Sequence, residues 1–408
     1  MQLPFVNDLQ DIELPLPTPL RVNASPKFTG KGITIAFLDS GFYPHDDLTQ
    51  PTNRISYFAD ARPDPSTGSG CIRENVGFST PHATSWHGTM VTCACIGNGF
   101  ASMYRYAGIA PDACGVLVKT GNMRDRRIRE SDIQRALRWT IDNAQRWGVR
   151  IINISVGGDF PSTGKMTPLD LLVEEGVAAG LVIVCAAGNS GAKKIMPPAS
   201  APSAITVGGL NDHNTLDRSR HGMYHSSYGR GAHGVTKPEV IAPAQWVAAP
   251  MLPRTKTHNE AQFLWKIERA NDKELARILR TKEAKARISL ETLSKPLDEI
   301  RRVIRARMND QKFVHPHYQH ADGTSFAAPI VSAIAAQMLE ANAALTPRQV
   351  KQILISTAVP LDDVSLERQG AGVVNAGAAV EAALKLLPRR REETEPRRSG
   401  DTEERRKR

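Results

Sequence analysis

Cysteine is scarce in this chain. Five occur in 408 residues: Cys71, Cys93, Cys95, Cys114 and Cys185. The number is odd and the spacings fit no disulfide framework or zinc site, so they read as reduced thiols of a cytoplasmic protein. Cys93 and Cys95 are at most half of a metal site, because no second Cys or His pair accompanies them. No run of about 18 apolar residues occurs, so no membrane-spanning helix is expected. The first twenty residues lack a basic n-region and an apolar h-region, so no signal peptide is expected. Aromatic residues are 6% of the chain and no groove-reading motif appears. Nucleic acid is therefore a weak candidate partner, although the net charge is +10. No segment repeats at a fixed period, which excludes a repeat solenoid.

What is present is the composition of a soluble globular chain, with 41% hydrophobic and 23% charged residues. Short apolar runs alternate with helical patterns. "ITIAFL" (residues 33–38), "GVLVKT", "VRIINISV", "LVIVCAA" and "AITVGG" read as buried strands. Ser131 is expected to cap a helix with Ile133, Ala136, Leu137, Ile141 and Ala144 on one face. Leu169, Leu172, Val173 and Val177 mark another. Later helices are expected to start at Thr346-Pro347 and near Asn375. Strands separated by helices imply right-handed crossovers and an α/β fold, with a central parallel sheet covered by helices on both faces.

Function in such sheets collects at the carboxyl ends of strands. Asp39 ends the first strand, and His87 opens an apolar helix. Asn189 follows another strand, and Ser325 opens a late helix, "GTSFAAP". On its own stretch Ser325 also reads as a simple helix cap. The order Asp, His, Ser is one of the arrangements of a hydrolytic triad. A serine hydroxyl is a weak nucleophile and needs a base to take its proton. Imidazole titrates in the right range, and a carboxylate holds its tautomer. A side-chain amide can hold the oxyanion.

Ten blocks then fall in order, including "IAFLDSGFYPHDDL", "HGTMV", "IINISVGG", "VCAAGNSG", "KPEVIAPA" and "GTSFAAP". Together they resemble the subtilisin-like serine proteases, intracellular ones most closely. The resemblance implies a three-layer subtilisin-like fold and a serine endopeptidase acting on proteins or peptides. It implies Asp39, His87 and Ser325 as the triad and Asn189 as oxyanion donor. Ser155, Val156, Gly157 and Gly158, with Ala187 and Gly188, would line the primary specificity pocket. Arg124, Arg126, Arg127 and Arg129 lie where relatives pair with substrate, and Lys193 and Lys194 follow Asn189. These cations suggest a preference for acidic residues before the scissile bond. Two other readings are a catalytically silent scaffold on the same fold and a protease that also binds nucleic acid.

Departures from the family accompany the match. Residues 1–27 form an N-terminal extension too short for a folding propeptide. Its "LPF" core, Leu3 to Phe5, resembles the self-blocking extension of intracellular subtilisins. The peptidase domain is expected over 28–387. "GNGFASMYRYA" lacks the Asn-rich pattern of the family's strongest calcium site. Asp47 matches one calcium position, but a single carboxylate does not make a site that takes six or more oxygens. No cofactor is expected to be required; structural calcium stays open, without a complete site. A charged helical insertion spans about 252–316. Phe263, Ile267, Ala270, Leu275, Ile278 and Leu279 suggest one amphipathic helix there, and Leu297, Ile300, Val303, Ile304 and Met308 a second. From 254 to 312 there are 16 Lys and Arg against 9 Asp and Glu, a net of +7. This arm is expected to pack on the body or to recruit a protein partner. The tail, 388–408, has no apolar residue to bury and is expected to be disordered.

Overall fold

Alternation within single strands builds the centre of the molecule. In β1 (Thr34–Asp39) Ile35 and Phe37 join one apolar cluster, and Ala36 and Leu38 join another on the opposite face. All four are fully buried, as a strand covered on both sides requires. The computed structural model describes residues 14–63, 72–74, 77–121 and 128–387. The further sheet strands are β2 (Ile55–Pro63), β3 (Ile72–Glu74), β4 (Cys114–Lys119), β5 (Val149–Ile154), β6 (Val182–Ala186) and β7 (Ile205–Asn211). Three two-residue strands follow, β8 (Gly222–Met223), β9 (Gly229–Arg230) and β10 (Thr236–Lys237), and then β11 (Val240–Pro243). Strand order in the main sheet is β11-β7-β6-β5-β1-β4-β2-β3, with β8 paired to β7. All pairings are parallel except those of β3 and β8.

Helices cover both faces. α1 (Thr18–Arg21) and α2 (Asp46–Thr49) are single turns before α3 (Ser85–Ile96). α4 (Glu130–Asp142), the one-turn α5 (Ala144–Trp147) and α6 (Pro168–Ala178) follow. α4 and α6 bury Ile133, Leu137, Leu169 and Val173 in the cluster behind Ala36 and Leu38. Ser131 does not cap α4. The helix begins one residue earlier, after the extended Arg129, so Ser131 lies inside the first turn. The sequence signal was misplaced because Glu130 and Asp132 already supply acid to that turn.

The segment from 251 to 317 departs from the expected pair of long helices. After β12 (Val247–Pro250) come α7 (Lys256–Arg269), α8 (Asp272–Leu279), α9 (Lys282–Arg287), α10 (Leu290–Leu293) and α11 (Leu297–Asp310). The periodicity through Ala270 is broken by Asn271, which forms a capping box with Glu274 and restarts the helix. Thr281 then caps α9. Phe263, Leu264, Ile267, Leu275, Ile304 and Met308 are buried in the main core cluster, so this segment is integral to the body. Glu260 bridges Arg287 and Arg307, Glu268 pairs with Arg305, and Asp272 with Arg301. Lys273, Arg277, Arg280, Lys282 and Lys285 remain exposed along α8 and α9.

The chain returns through β13 (Phe313–His315) and β14 (Tyr318–Ala321); β14 pairs with both β13 and β12. β14 leads directly into α12 (Thr324–Ala341). By length and composition α12 could cross a membrane, with mean hydropathy 1.2, but it is 83% buried inside the fold as a core helix. α13 (Pro347–Thr357), α14 (Leu366–Gln369) and α15 (Ala376–Lys385) complete the chain, with Thr346 and Asn375 as caps.

The described part of the N-terminal extension is anchored. Arg21 pairs with Asp212 at 2.7 Å, both side chains being buried, and it also donates to the carbonyls of Gln245 and Trp246. Asn214 exchanges hydrogen bonds with Leu16 and Leu14. Leu14, Leu16 and Arg21 are thus tied to the body. The Leu3-Pro4-Phe5 core and the 388–408 tail lie outside the described residues.

Candidate active site

Asp39 and His87 are in contact at the carboxyl edge of the sheet, and Asn189 lies against the turn that carries Ser325. Asp39 is the last residue of β1 and is fully buried. His87 lies in the first turn of α3, and its Nδ1 is 2.7 Å from Asp39 Oδ1. That oxygen also accepts from the Ser40 backbone N–H at 2.6 Å and from Ser40 Oγ at 3.1 Å. Asp39 Oδ2 is buried and has no hydrogen-bond partner among the described residues. Burial pulls the His87 pKa down, but the Asp39 charge and hydrogen bond outweigh it, so the imidazole sits above its ordinary 6.5.

Glycine permits this approach. A Cβ on Gly88 would lie 2.3 Å from the Gly41 carbonyl oxygen and 3.0 Å from Asp39 Cβ. A Cβ on Gly121 would lie 2.1 Å from Ser40 O, against the turn after β1. Neither position was singled out from the sequence. The only sign was a glycine directly after the histidine, a helix position where glycine costs about 1 kcal/mol relative to alanine.

Ser325 is not a helix cap. α12 starts at Thr324, and Gly323 takes the cap position with φ 136°, in the region open to glycine. Ser325 therefore sits in the first turn with its hydroxyl uncommitted to capping. Its Oγ donates to Ser155 O at 3.3 Å, a long bond, while Ser155 Oγ donates to Ser325 O at 3.0 Å. Asn153 donates to Ser155 Oγ, and Ser332 donates to Asn153, so a buried polar chain fixes the start of α12 to the end of β5. The ring centroids of His87 and Phe326 are 6.0 Å apart, which brings the His87 and Ser325 turns together.

Asn189 is oriented by the residue before the serine. Its Oδ1 accepts from the Thr324 backbone N–H and from Thr324 Oγ1, each at 2.9 Å. Thr324 Oγ1 in turn accepts from Gly188 N at 3.0 Å. With its oxygen held twice, the amide presents Nδ2 as the free donor. Gly323 lies beside that group, since a Cβ there would be 3.4 Å from Nδ2. Thr324 was missed in the sequence, where "GTS" drew attention to the serine alone.

The residues expected to set specificity are brought together less uniformly. Ser155, Val156, Gly157 and Gly158 follow β5, and Ala187 and Gly188 follow β6 on the neighbouring strand. Glu130 lies against Gly158, whose Cβ would sit 2.7 Å from Oε2. Its oxygens accept from Gln134 and from Asp159 N, which makes it a brace for the loop. Lys193 Nζ is 2.6 Å from Glu367 Oε1, so this cation is engaged by a carboxylate. Lys194 and Arg129 are exposed; Arg124, Arg126 and Arg127 lie outside the described residues.

His45, Asp47 and Cys93 are buried with donor atoms within 4.8 Å of one another. They do not fit a metal ion. His45 Nδ1 accepts from Asp47 N at 3.1 Å. Asp47 Oδ1 accepts from Ala101 N at 3.0 Å, and Oδ2 accepts from the Tyr318 hydroxyl. Burial pushes the Cys93 thiol well above its usual range.

Comparison with known proteins gives the family of this chain. The Peptidase_S8 subtilase family model matches residues 30–372. Serine protease AprX of Bacillus subtilis (strain 168) is 30% identical over 361 residues, covering 86% of this chain and 67% of that protein. Subtilisin BL of Lederbergia lenta is 30% identical over 188 residues, 46% of this chain and 58% of that one. The chain thus spans two thirds of one relative and under two thirds of the other. Among solved structures, a mutant protease domain of PatA matches with a TM-score of 0.56 at 21% identity, covering 88% of this chain and 98% of that one. The prenylagaramide maturation protease PagA matches with a TM-score of 0.55 at 20% identity, covering 89% and 96%. These two likenesses bear on the fold. The chain belongs to the subtilase family and is a serine endopeptidase of the subtilisin type.

Proposed function

We propose that this protein cleaves peptide bonds through Asp39, His87 and Ser325, with Asn189 and the Ser325 backbone N–H holding the oxyanion. The observation that carries the reading is the 2.7 Å contact of His87 Nδ1 with Asp39, set beside an Asn189 amide whose oxygen is already bound. Ser325 Oγ turns from Ser155 O toward His87 Nε2, gives up its proton there, and attacks the carbonyl carbon. The carbonyl oxygen becomes negative and takes hydrogen bonds from Asn189 Nδ2 and the Ser325 N–H. His87 then returns the proton to the leaving amine, and water repeats the sequence on the acyl-enzyme. A fluorophosphonate probe should label Ser325, and peptide mapping of the adduct reads the position. An intact, folded protein that takes no label at Ser325 would sink the assignment. Asn189→Ala should lower kcat by on the order of 10²–10³, the cost of losing the equivalent donor in subtilisin, with KM little changed.

The substrate proposed is a protein or peptide with acidic residues before the scissile bond. Lys194 supports this, and the exposed cations of α8 and α9 extend the same positive field to a protein substrate. A peptide-library profile should favour Asp and Glu on the non-prime side, and Lys194→Ala should weaken that preference several-fold. A basic or purely aromatic profile would refute it. The proposal extends to a cytoplasmic setting, resting on Cys93, Cys95, Cys114 and Cys185, all of them free thiols.

A further inference from the structure

The Asp47 region combines four features that a bound cation would otherwise supply. Asp47 is a buried carboxylate, 1% exposed. A charge in that position needs a compensating charge and full hydrogen bonding. Arg54 is a positive charge nearby, held on main-chain oxygens rather than on the carboxylate itself. Its Nη1 donates to the Ile96 carbonyl and its Nη2 to the Asp47 carbonyl, so one guanidinium gathers two main-chain oxygens from separate elements. Burial pulls Arg54 below its ordinary value, with Asp47 among the groups opposing that fall. A guanidinium nevertheless stays charged throughout the accessible range. The Asp47 carbonyl accepts in addition from Asn98 N at 3.0 Å, which fixes the turn after α3.

The remaining ligand comes from far along the chain. Tyr318 is fully buried and lies on β14, the strand that returns from the helical segment. Its hydroxyl donates to Asp47 Oδ2 across 271 positions of sequence. Burial, the Asp47 charge and this hydrogen bond hold the phenol well above its ordinary value, so it keeps the proton it donates. The Tyr106 ring packs on Tyr318 with centroids 5.3 Å apart and shields the contact. Both Asp47 oxygens are thus occupied by protein donors, and a positive group already bridges the adjoining carbonyls.

We infer that Arg54 and Tyr318 replace a structural divalent ion at Asp47. The guanidinium supplies the charge, and the phenol, delivered by the strand that follows the helical segment, supplies the last ligand. That segment is accordingly a structural part of the peptidase, closed onto the body through β14 rather than hung from it. The inference goes beyond the proposed chemistry and does not depend on it.

The test is thermal unfolding of the full-length chain carrying Ser325→Ala, which prevents self-digestion during the scan. The Tm should be the same in EDTA, in CaCl2 and in ZnCl2. Adding Tyr318→Phe, which leaves Asp47 Oδ2 buried without a donor, should lower the Tm by roughly 2–5 °C. A Tm that falls in EDTA or rises with either metal would overturn the inference. So would a folded Tyr318→Phe protein with the parental Tm. If that variant does not fold, the metal and chelator scans on the parent still decide the matter.

Discussion

Ser325→Ala is expected to lower kcat by on the order of 10⁶, the loss that follows removal of the nucleophile from subtilisin. The same change should leave the fold intact, and the structure gives the reason. Among the described residues, the only hydrogen bond from Ser325 Oγ is a 3.3 Å contact with Ser155 O. The cap of α12 is Gly323 and not the serine, so no helix end is lost. Asn153, Ser155 and Ser332 hold the first turn through groups the substitution does not touch. A folded protein that turns over a peptide substrate at the parental rate would remove Ser325 from the mechanism. A small residual rate is expected, because Asn189 and the backbone N–H still stabilise the oxyanion of water attack.

The parts of this molecule that the sequence made legible share one property: their signal is local. β1 could be read because five successive residues, Ile35 to Asp39, are buried and the run ends in Asp39 and a turn. Thr346 and Asn375 could be read as caps because side chain and backbone lie three residues apart. The triad order and the "AAGN" segment were legible as short blocks. What escaped depends on pairs distant in sequence. Gly88 matters only because the Gly41 carbonyl comes to where its Cβ would be. Thr324 matters because Asn189, 135 positions earlier, needs its oxygen held. Arg21 reads as a surface cation until Asp212 is found opposite it. The arm looked like two long amphipathic helices because hydrophobic periodicity does not record a chain reversal. Asn271 and Thr281 cut it into shorter pieces, each with its own cap. Its positive charge suggested a partner, yet several of its arginines are spent on Glu260, Glu268 and Asp272 within the segment. Lys193 is the same lesson at the specificity site, since Glu367 lies far along the chain.

Asp39→Asn should lower kcat by up to about 10⁴, the loss seen where the same change also fixes the wrong histidine tautomer, and it should also move the pH profile. The two effects have one source. In the parent, burial pulls the His87 pKa down, while the Asp39 charge and hydrogen bond raise it further, leaving it above 6.5. The general base works only as neutral imidazole, so parental kcat/KM should fall as pH drops through that raised value. In the variant the Ser40 N–H and His87 Nδ1 still require an acceptor where Oδ1 now sits. The amide oxygen therefore takes that place, and the NH2 group takes the buried Oδ2 position, which has no partner to lose among the described residues. The imidazole tautomer is kept, but the charge that stabilises imidazolium is gone and burial is left unopposed. The His87 pKa must then fall, and the acid limb of the surviving activity should shift to lower pH than in the parent. A pH–rate profile from about pH 4 to 9 on both proteins reads the shift directly, within the range where histidine titrates. An acid limb that stays in place, or moves to higher pH, would mean that Asp39 does not set the basicity of His87. A fall in kcat with no movement of the limb would instead make Asp39 a positioning group only, holding the ring without stabilising its charge.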